Sequence, residues 1–251
     1  MARAGDLPDP DRLSIYTFRS RYHAMRLPLW LGIAAAILVL LHILLMWLFH
    51  RVAHLPHDHP ERIRWYLVSV FDLGEEESVG TWFSAVTLLF IGRIAWGRAK
   101  QLMAEGSVWS GWWFLIAIVF HVLSIEEVVN LHAILKEWFD RQGADEGPAM
   151  RQVLLWISIF VAAAMVPFLQ RVGVRFALVT VLAGALYLGG ALAVDHWFGS
   201  DRFESYHDRW PWVGLEEGLE MFGMIVFLHG MLAYLAKSPT GTVQEQTEVV
   251  R

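Results

Sequence analysis

Six stretches of about twenty mostly apolar residues recur along this chain, at 29–49, 79–97, 113–135, 152–170, 176–195 and 215–236. As helices rising about 1.5 Å per residue, each can cross the roughly 30 Å of a bilayer's hydrocarbon. The first, Leu29 to Phe49, is too long for the core of a signal peptide. Its small residues Ala34 to Ala36 lie inside the run rather than after it, so it reads as an uncleaved span. A soluble chain of 251 residues can build a full core with less apolar material than the 56% found here. The mean hydropathy of +0.42 points the same way. Tryptophan is abundant, at 13 residues, and many of them sit at the ends of the runs. An amphipathic ring gains most at that boundary. The expected fold is an all-α polytopic membrane bundle of about six transmembrane helices, with the lipid bilayer as its first partner.

The basic residues orient this bundle. With the N-terminus in the cytoplasm, twelve of the 20 lysines and arginines fall on the inner side and eight on the outer. Arg3, Arg12, Arg19, Arg21 and Arg26 precede the first span and lead the bias, and an inner excess of basic residues sets orientation. Both ends are therefore expected inside. The chain divides into a polar tail (1–28), a six-helix transmembrane domain (29–236) and a second tail (237–251). The longer loops, 50–78, 136–151 and 196–214, then face outward. A net charge of −5 without a basic stripe gives no nucleic-acid partner. Zero cysteines exclude disulfides, thiolate metal sites, iron–sulfur clusters and covalently attached haem.

The ionisable residues that interrupt the runs carry the functional signal. Glu126 and Glu127 lie inside the third span, with apolar sequence on both sides. Glu216, Glu217 and Glu220 occupy the first turns of the last span, Asp195 and His196 end the fifth, and Glu75, Glu76 and Glu77 open the second. In the orientation above, all four groups lie toward the outer face. A carboxylate in lipid costs several kcal/mol and usually faces a cavity, pairs, or binds something. Helix-end placement explains Glu75–Glu77 and Glu216 well, because acidic residues favour a helix N-terminus. It explains Glu126 and Glu127 poorly, because they lie toward a C-terminal end.

Helical spacing brings Glu216, Glu217 and Glu220 within about 100° of one another. It also puts Asn130 on the face of Glu126, with Glu127 at its edge. A carboxylate-rich pocket with an Asn and a His suits a hard or borderline divalent cation. The pocket does not match the pattern of di-iron bundles, which uses Glu-x-x-His on two helices; Glu217 and Glu220 have that spacing without the His. His121 and His229 lie at matching depth, as the two ligands of a haem or a chlorophyll-like pigment would. Membrane histidines more often bond across a bundle, so neither haem nor pigment is expected here. His54, His57 and His59 share a loop with two prolines, a poor frame for a metal. Arg93 reads as a snorkelling side chain, and Gly184, Gly189 and Gly190 as a smooth packing face.

Three stretches carry a resemblance. They are Phe71-Asp72-Leu73 with Glu76 and Thr81-Trp82-Phe83-Ser84, then Leu123-Ser124-Ile125-Glu126-Glu127 with His132, then Leu215-Glu216-Glu217 with Glu220-Met221 and Gly223. Together they resemble a group of bacterial multi-pass membrane proteins known mainly as hypothetical proteins, over about residues 63–236. The resemblance implies a helical fold in a bacterial inner membrane and makes Glu76, Glu126, Glu127, His132, Glu217 and Glu220 the candidate metal-site residues. It implies no activity. The leading functional expectation is an outward-facing carboxylate/His pocket that binds a cation, such as a divalent metal, or relays protons. A second is an accessory subunit packed against other membrane subunits. A third is a metal-dependent membrane enzyme with a Glu as general base.

Overall fold

A chain segment in hydrocarbon must satisfy its backbone polar groups within itself, and this sequence does so with helices. The computed structural model describes residues 21–53, 59–60, 62–131, 146–194 and 209–237, with the single positions 134, 138, 141 and 197. No strand occurs among the described residues. The helices with described bounds are α1 (Arg21–Ala53), α2 (Arg62–Ser69), α3 (Val79–Ala104), α4 (Ser110–Val129), α5 (Glu146–Arg171), α6 (Val174–Leu188) and α7 (Trp210–Leu235). A π-helical segment, Gly189–Val194, continues α6.

Among the described residues, five segments are long and apolar enough to cross a membrane: Arg26–Phe49, Val79–Ala104, Ser110–Val129, Val174–Leu192 and Trp210–Leu235. Helix α5 adds a shorter apolar stretch, Leu155–Leu169. Large apolar side chains stand on the outer faces, among them Trp30, Leu40, Trp47, Trp156, Phe160 and Leu178. So much continuous apolar surface is stable against lipid rather than water. The chain is a multi-pass helical membrane protein.

The main pairings are α3 with α4, α6 with α7, and α1 with α7. Leu88, Ile91, Ala95 and Ala99 of α3 meet Ala117 of α4 and Met221, Met224, Leu228 and Met231 of α7 in the core. Lipid tails are as apolar as these side chains, so close packing rather than escape from water draws such helices together. Gly223 shows how close they come. A Cβ there would lie 2.8 Å from the Tyr187 nitrogen and 2.9 Å from the Ala183 oxygen, both backbone atoms of α6. Of the three glycines expected to form a packing face, only Gly190 is closely approached: its Cβ would sit 2.6 Å from the Glu216 carbonyl oxygen. Gly184 and Gly189 have nothing within 4 Å.

Two helix boundaries depart from the hydropathy pattern. The third span, expected to run through Leu135, stops at Val129, because Asn130 adopts the left-handed conformation (φ 55°, ψ 53°) as the helix cap. Asn is among the few residues that tolerate that conformation, and its N–H still reaches the Glu126 carbonyl at 2.7 Å. Glu126 and Glu127, expected toward the C-terminal part of their span with apolar helix beyond them, thus occupy the last helical turn of α4. The last helix begins at Trp210, before its apolar run, with Pro211 in the first turn, where a missing N–H does no harm.

Candidate functional site

The connection from α2 to α3 folds back on itself to form one wall of the site. Asp72 Oδ1 accepts from the Gly74 N–H at 3.1 Å, and Ser78 Oγ caps α3 by accepting from the Thr81 N–H at 3.2 Å. Thr81 Oγ1 in turn donates to the Glu75 carbonyl at 3.2 Å. His42 of α1, fully buried, ties this loop to two helices. Its Nδ1 accepts from the Leu73 N–H at 3.1 Å, and its Nε2 donates to the Trp210 carbonyl at 2.8 Å. That pattern assigns the Nε2–H tautomer, with Asp72 Oδ1 3.4 Å from Nδ1.

Against this wall lie the ends of α4 and α7. Glu76, in the loop, accepts a hydrogen bond from the Asn130 side-chain amide, so the cap of α4 is joined to the α2–α3 connection. Ser124 Oγ donates to the Ala85 carbonyl at 2.8 Å and fixes the last turns of α4 against α3. Glu126 and Glu127, in those turns, are half-buried, as are Glu217 and Glu220 on α7. The charges acting on Glu217 are those of Glu127, Glu216, Arg209 and Asp72; those acting on Glu220 are Glu217, Glu127, Glu216 and Glu126. Arg209 is buried and pairs with Glu216. The Glu220 side chain lies against Gly190 of the π-helical segment, where a Cβ would come within 3.0 Å of its Cγ. π-Helical turns inside α-helices often mark functional positions.

Five of the six expected site residues therefore gather at one end of the bundle: Glu76 through Asn130, and Glu126, Glu127 and Glu217 near enough to Glu220 for their charges to act on it. The sixth, His132, lies outside the described residues, as do Asp195 and His196. Among the described residues, no group of three His, Asp or Glu side chains is arranged to hold a metal ion. Outside the membrane-spanning segments, burial raises the Glu75 carboxyl above the usual carboxylate range, and Asp72, Glu76 and Glu77 add to the shift.

A family described as a domain of unknown function, DUF8692, matches residues 30–235, from the first apolar helix to the end of α7. The chain belongs to the DUF8692 family. No curated protein and no solved structure matches it. The match takes in every helix that builds the carboxylate end of this DUF8692 chain.

The histidines of the DUF8692 bundle take separate roles. His121 Nδ1 donates to the Ala117 carbonyl of its own helix at 2.6 Å, and its ring lies on Gly92 of α3, whose added Cβ would come within 2.6 Å. His229 is exposed. Of the His54–His59 loop, positions 54–58 lie outside the described residues. Arg93 is exposed, as a snorkelling residue would be. Hydropathy reasoning missed Tyr187. This α6 residue shares the field of Glu220, Glu127, Glu126 and Glu217, yet a lone tyrosine in an apolar span carries no spacing signal. It also missed the joint role of His42 and Asp72, which lie thirty residues apart and show no common period.

Proposed function

We propose that this DUF8692 protein is a six-span protein of the bacterial inner membrane, with both ends in the cytoplasm, whose outward-facing carboxylate pocket binds a cation or relays protons. The observation that carries the reading is the gathering of half-buried carboxylates from two helices, Glu126 and Glu127 in the last turn of α4 and Glu217 and Glu220 in the first turns of α7. Like charges gathered in a poorly hydrated site repel, so a proton or a cation shared among them stabilises the arrangement. The phenol of Tyr187, in the same field, adds a hydroxyl that can pass a proton between carboxylates. Six spans are supported by α5, a 26-residue helix with its own apolar stretch. The orientation rests on the excess of basic residues on the inner side.

The test is thermal stability in mild detergent, with chelator, with added divalent metals and across pH. A ligand that binds only the folded state raises the melting temperature by mass action. Wild type should respond to metal or to pH, and Glu127→Gln and Glu217→Gln should fold but lose that response. A wild type indifferent to all three conditions would put the accessory-subunit reading in front. Reporter fusions after Ser238 and within residues 142–147 should label opposite sides of the membrane; labels on one side would refute the six-span count.

A further inference from the structure

At the opposite end of the bundle, two tight turns build a different cavity. Helix α3 ends with Gly106 in the left-handed region (φ 68°), the Ser107 N–H reaching back to the Leu102 carbonyl at 2.9 Å and the Gly106 N–H to Met103 at 3.0 Å. This pair of bonds is a Schellman motif, which fixes the direction of the exit. Ser107 Oγ then accepts from the Trp109 N–H at 3.3 Å, so the tryptophan is held at the start of α4. The α5–α6 connection turns as tightly through Gly173 (φ 85°), just after Arg171. Between these turns opens a cavity of about 330 Å³ lined by Arg98, Arg171, Trp109, Trp113 and Tyr234, with Phe168 among its apolar walls.

Both guanidiniums are oriented by neighbours. The Arg171 group sits 5.4 Å from the centre of the Trp109 ring, and Arg98 Nη1 donates to Gln101 Oε1 at 2.9 Å. Snorkelling would send such side chains straight out along the helix axis. Here they line one cavity instead, behind a buried aromatic cluster. Trp113 stacks on Phe176 (6.4 Å) and on Tyr234 (5.9 Å), and Phe168 meets Trp113 edge-on at 5.7 Å. The volume falls in the range of small-molecule sites. Planar guanidiniums match the oxygens of a phosphate with paired hydrogen bonds. Basic pockets between helices, at headgroup depth and beside aromatic rings, hold anionic lipid headgroups in the same way.

We propose that this cavity binds a phosphate monoester or diester, with Arg98 and Arg171 taking its oxygens and the aromatic wall covering the adjoining carbons. The ligand class is independent of the carboxylate end, so either site can fail alone. The experiment uses the full-length protein in a neutral detergent and measures its melting temperature against three probes. These are dioleoyl phosphatidylglycerol, dioleoyl phosphatidylcholine, and inorganic phosphate at ionic strength matched with chloride. Wild type should be stabilised in a saturable way by the anionic lipid or by inorganic phosphate. The first result assigns a lipid headgroup and the second a soluble phosphate. Arg171→Gln and Arg98→Gln should weaken the apparent affinity by at least about tenfold. Arg171→Lys, which keeps charge but loses the planar fork, should fall between. Should Arg98→Gln fail to fold, the two Arg171 variants decide the matter. Equal response to the charged and zwitterionic lipids with none to phosphate, or an unchanged response in Arg171→Gln, would overturn the proposal.

Discussion

The two ends of the DUF8692 bundle place charge beside lipid in opposite ways. The end built by the 105–109 and 172–173 turns holds arginines, whose long side chains reach a shared cavity from two different helices. Its geometry is local: two glycine turns and an aromatic cluster position Arg98 and Arg171. The other end holds glutamates, whose short side chains cannot reach far from their helices. Its geometry is long-range, with α1, the α2–α3 loop, α4, α6 and α7 each contributing a group. Local turns can seat a long cation one residue at a time. Short anions near lipid stay close to where their helices end, and here those ends converge until the carboxylates interact.

If that contrast is right, the carboxylate end should be the more fragile to changes in helix approach. The largest effect is expected from Gly223→Ala, whose Cβ would meet two backbone atoms of α6. Unfolding in detergent should show a loss of about 1–3 kcal/mol. The metal or pH response should be lost with it, while the phosphate response at the arginine end is kept. Gly97→Ala, with nothing within 4 Å, is the control and should be neutral or stabilising. Equal loss in both would mean that helix approach does not distinguish the two ends.

Next in size is His42→Ala, which leaves the Leu73 N–H and the Trp210 carbonyl without their partner. Leaving buried polar groups unsatisfied costs about 2 kcal/mol, again read by unfolding. Arg171→Gln, at the arginine end, removes a contact with Trp109 and should lower stability by about 1 kcal/mol or less. A larger loss from Arg171→Gln than from His42→Ala would reverse the comparison.

The smallest effect concerns pH. The Glu75 carboxyl is raised in the folded state, mainly by burial, so the folded protein binds the proton more readily than the unfolded chain. Stability from this group is therefore full below its ordinary value. It declines as pH rises from that value through the raised one, because unfolding then releases the proton. Glu75→Gln should flatten that part of the stability–pH curve. An unchanged slope would remove Glu75 from the account.

Much of this was legible in the sequence, for physical reasons that particular residues make plain. Apolar runs revealed the helices, since a span needs unbroken hydrophobicity, and 3.6-residue spacing placed Glu217 and Glu220 together on one face. The exit of α4 was not legible. Leu131, Ala133, Ile134 and Leu135 continue the apolar pattern in composition, and only the backbone of Asn130 shows the break. The link from Asn130 to Glu76 joins residues 54 positions apart, and no periodicity connects a loop to a helix cap. Tyr187 looked like part of an apolar face until the crossing of α6 and α7 at Gly223 set it among the carboxylates.

The central claim is that a proton or a cation is shared among Glu126, Glu127, Glu217 and Glu220. Infrared difference spectroscopy of the carboxyl stretch, with element analysis of the same purified sample, tests it most directly. At neutral pH the wild type should show either a protonated carboxyl band that Glu217→Gln removes or shifts, or a stoichiometric bound metal that Glu217→Gln releases. A wild type with every carboxylate ionised and no bound metal, and a spectrum that Glu217→Gln leaves otherwise unchanged, would contradict it.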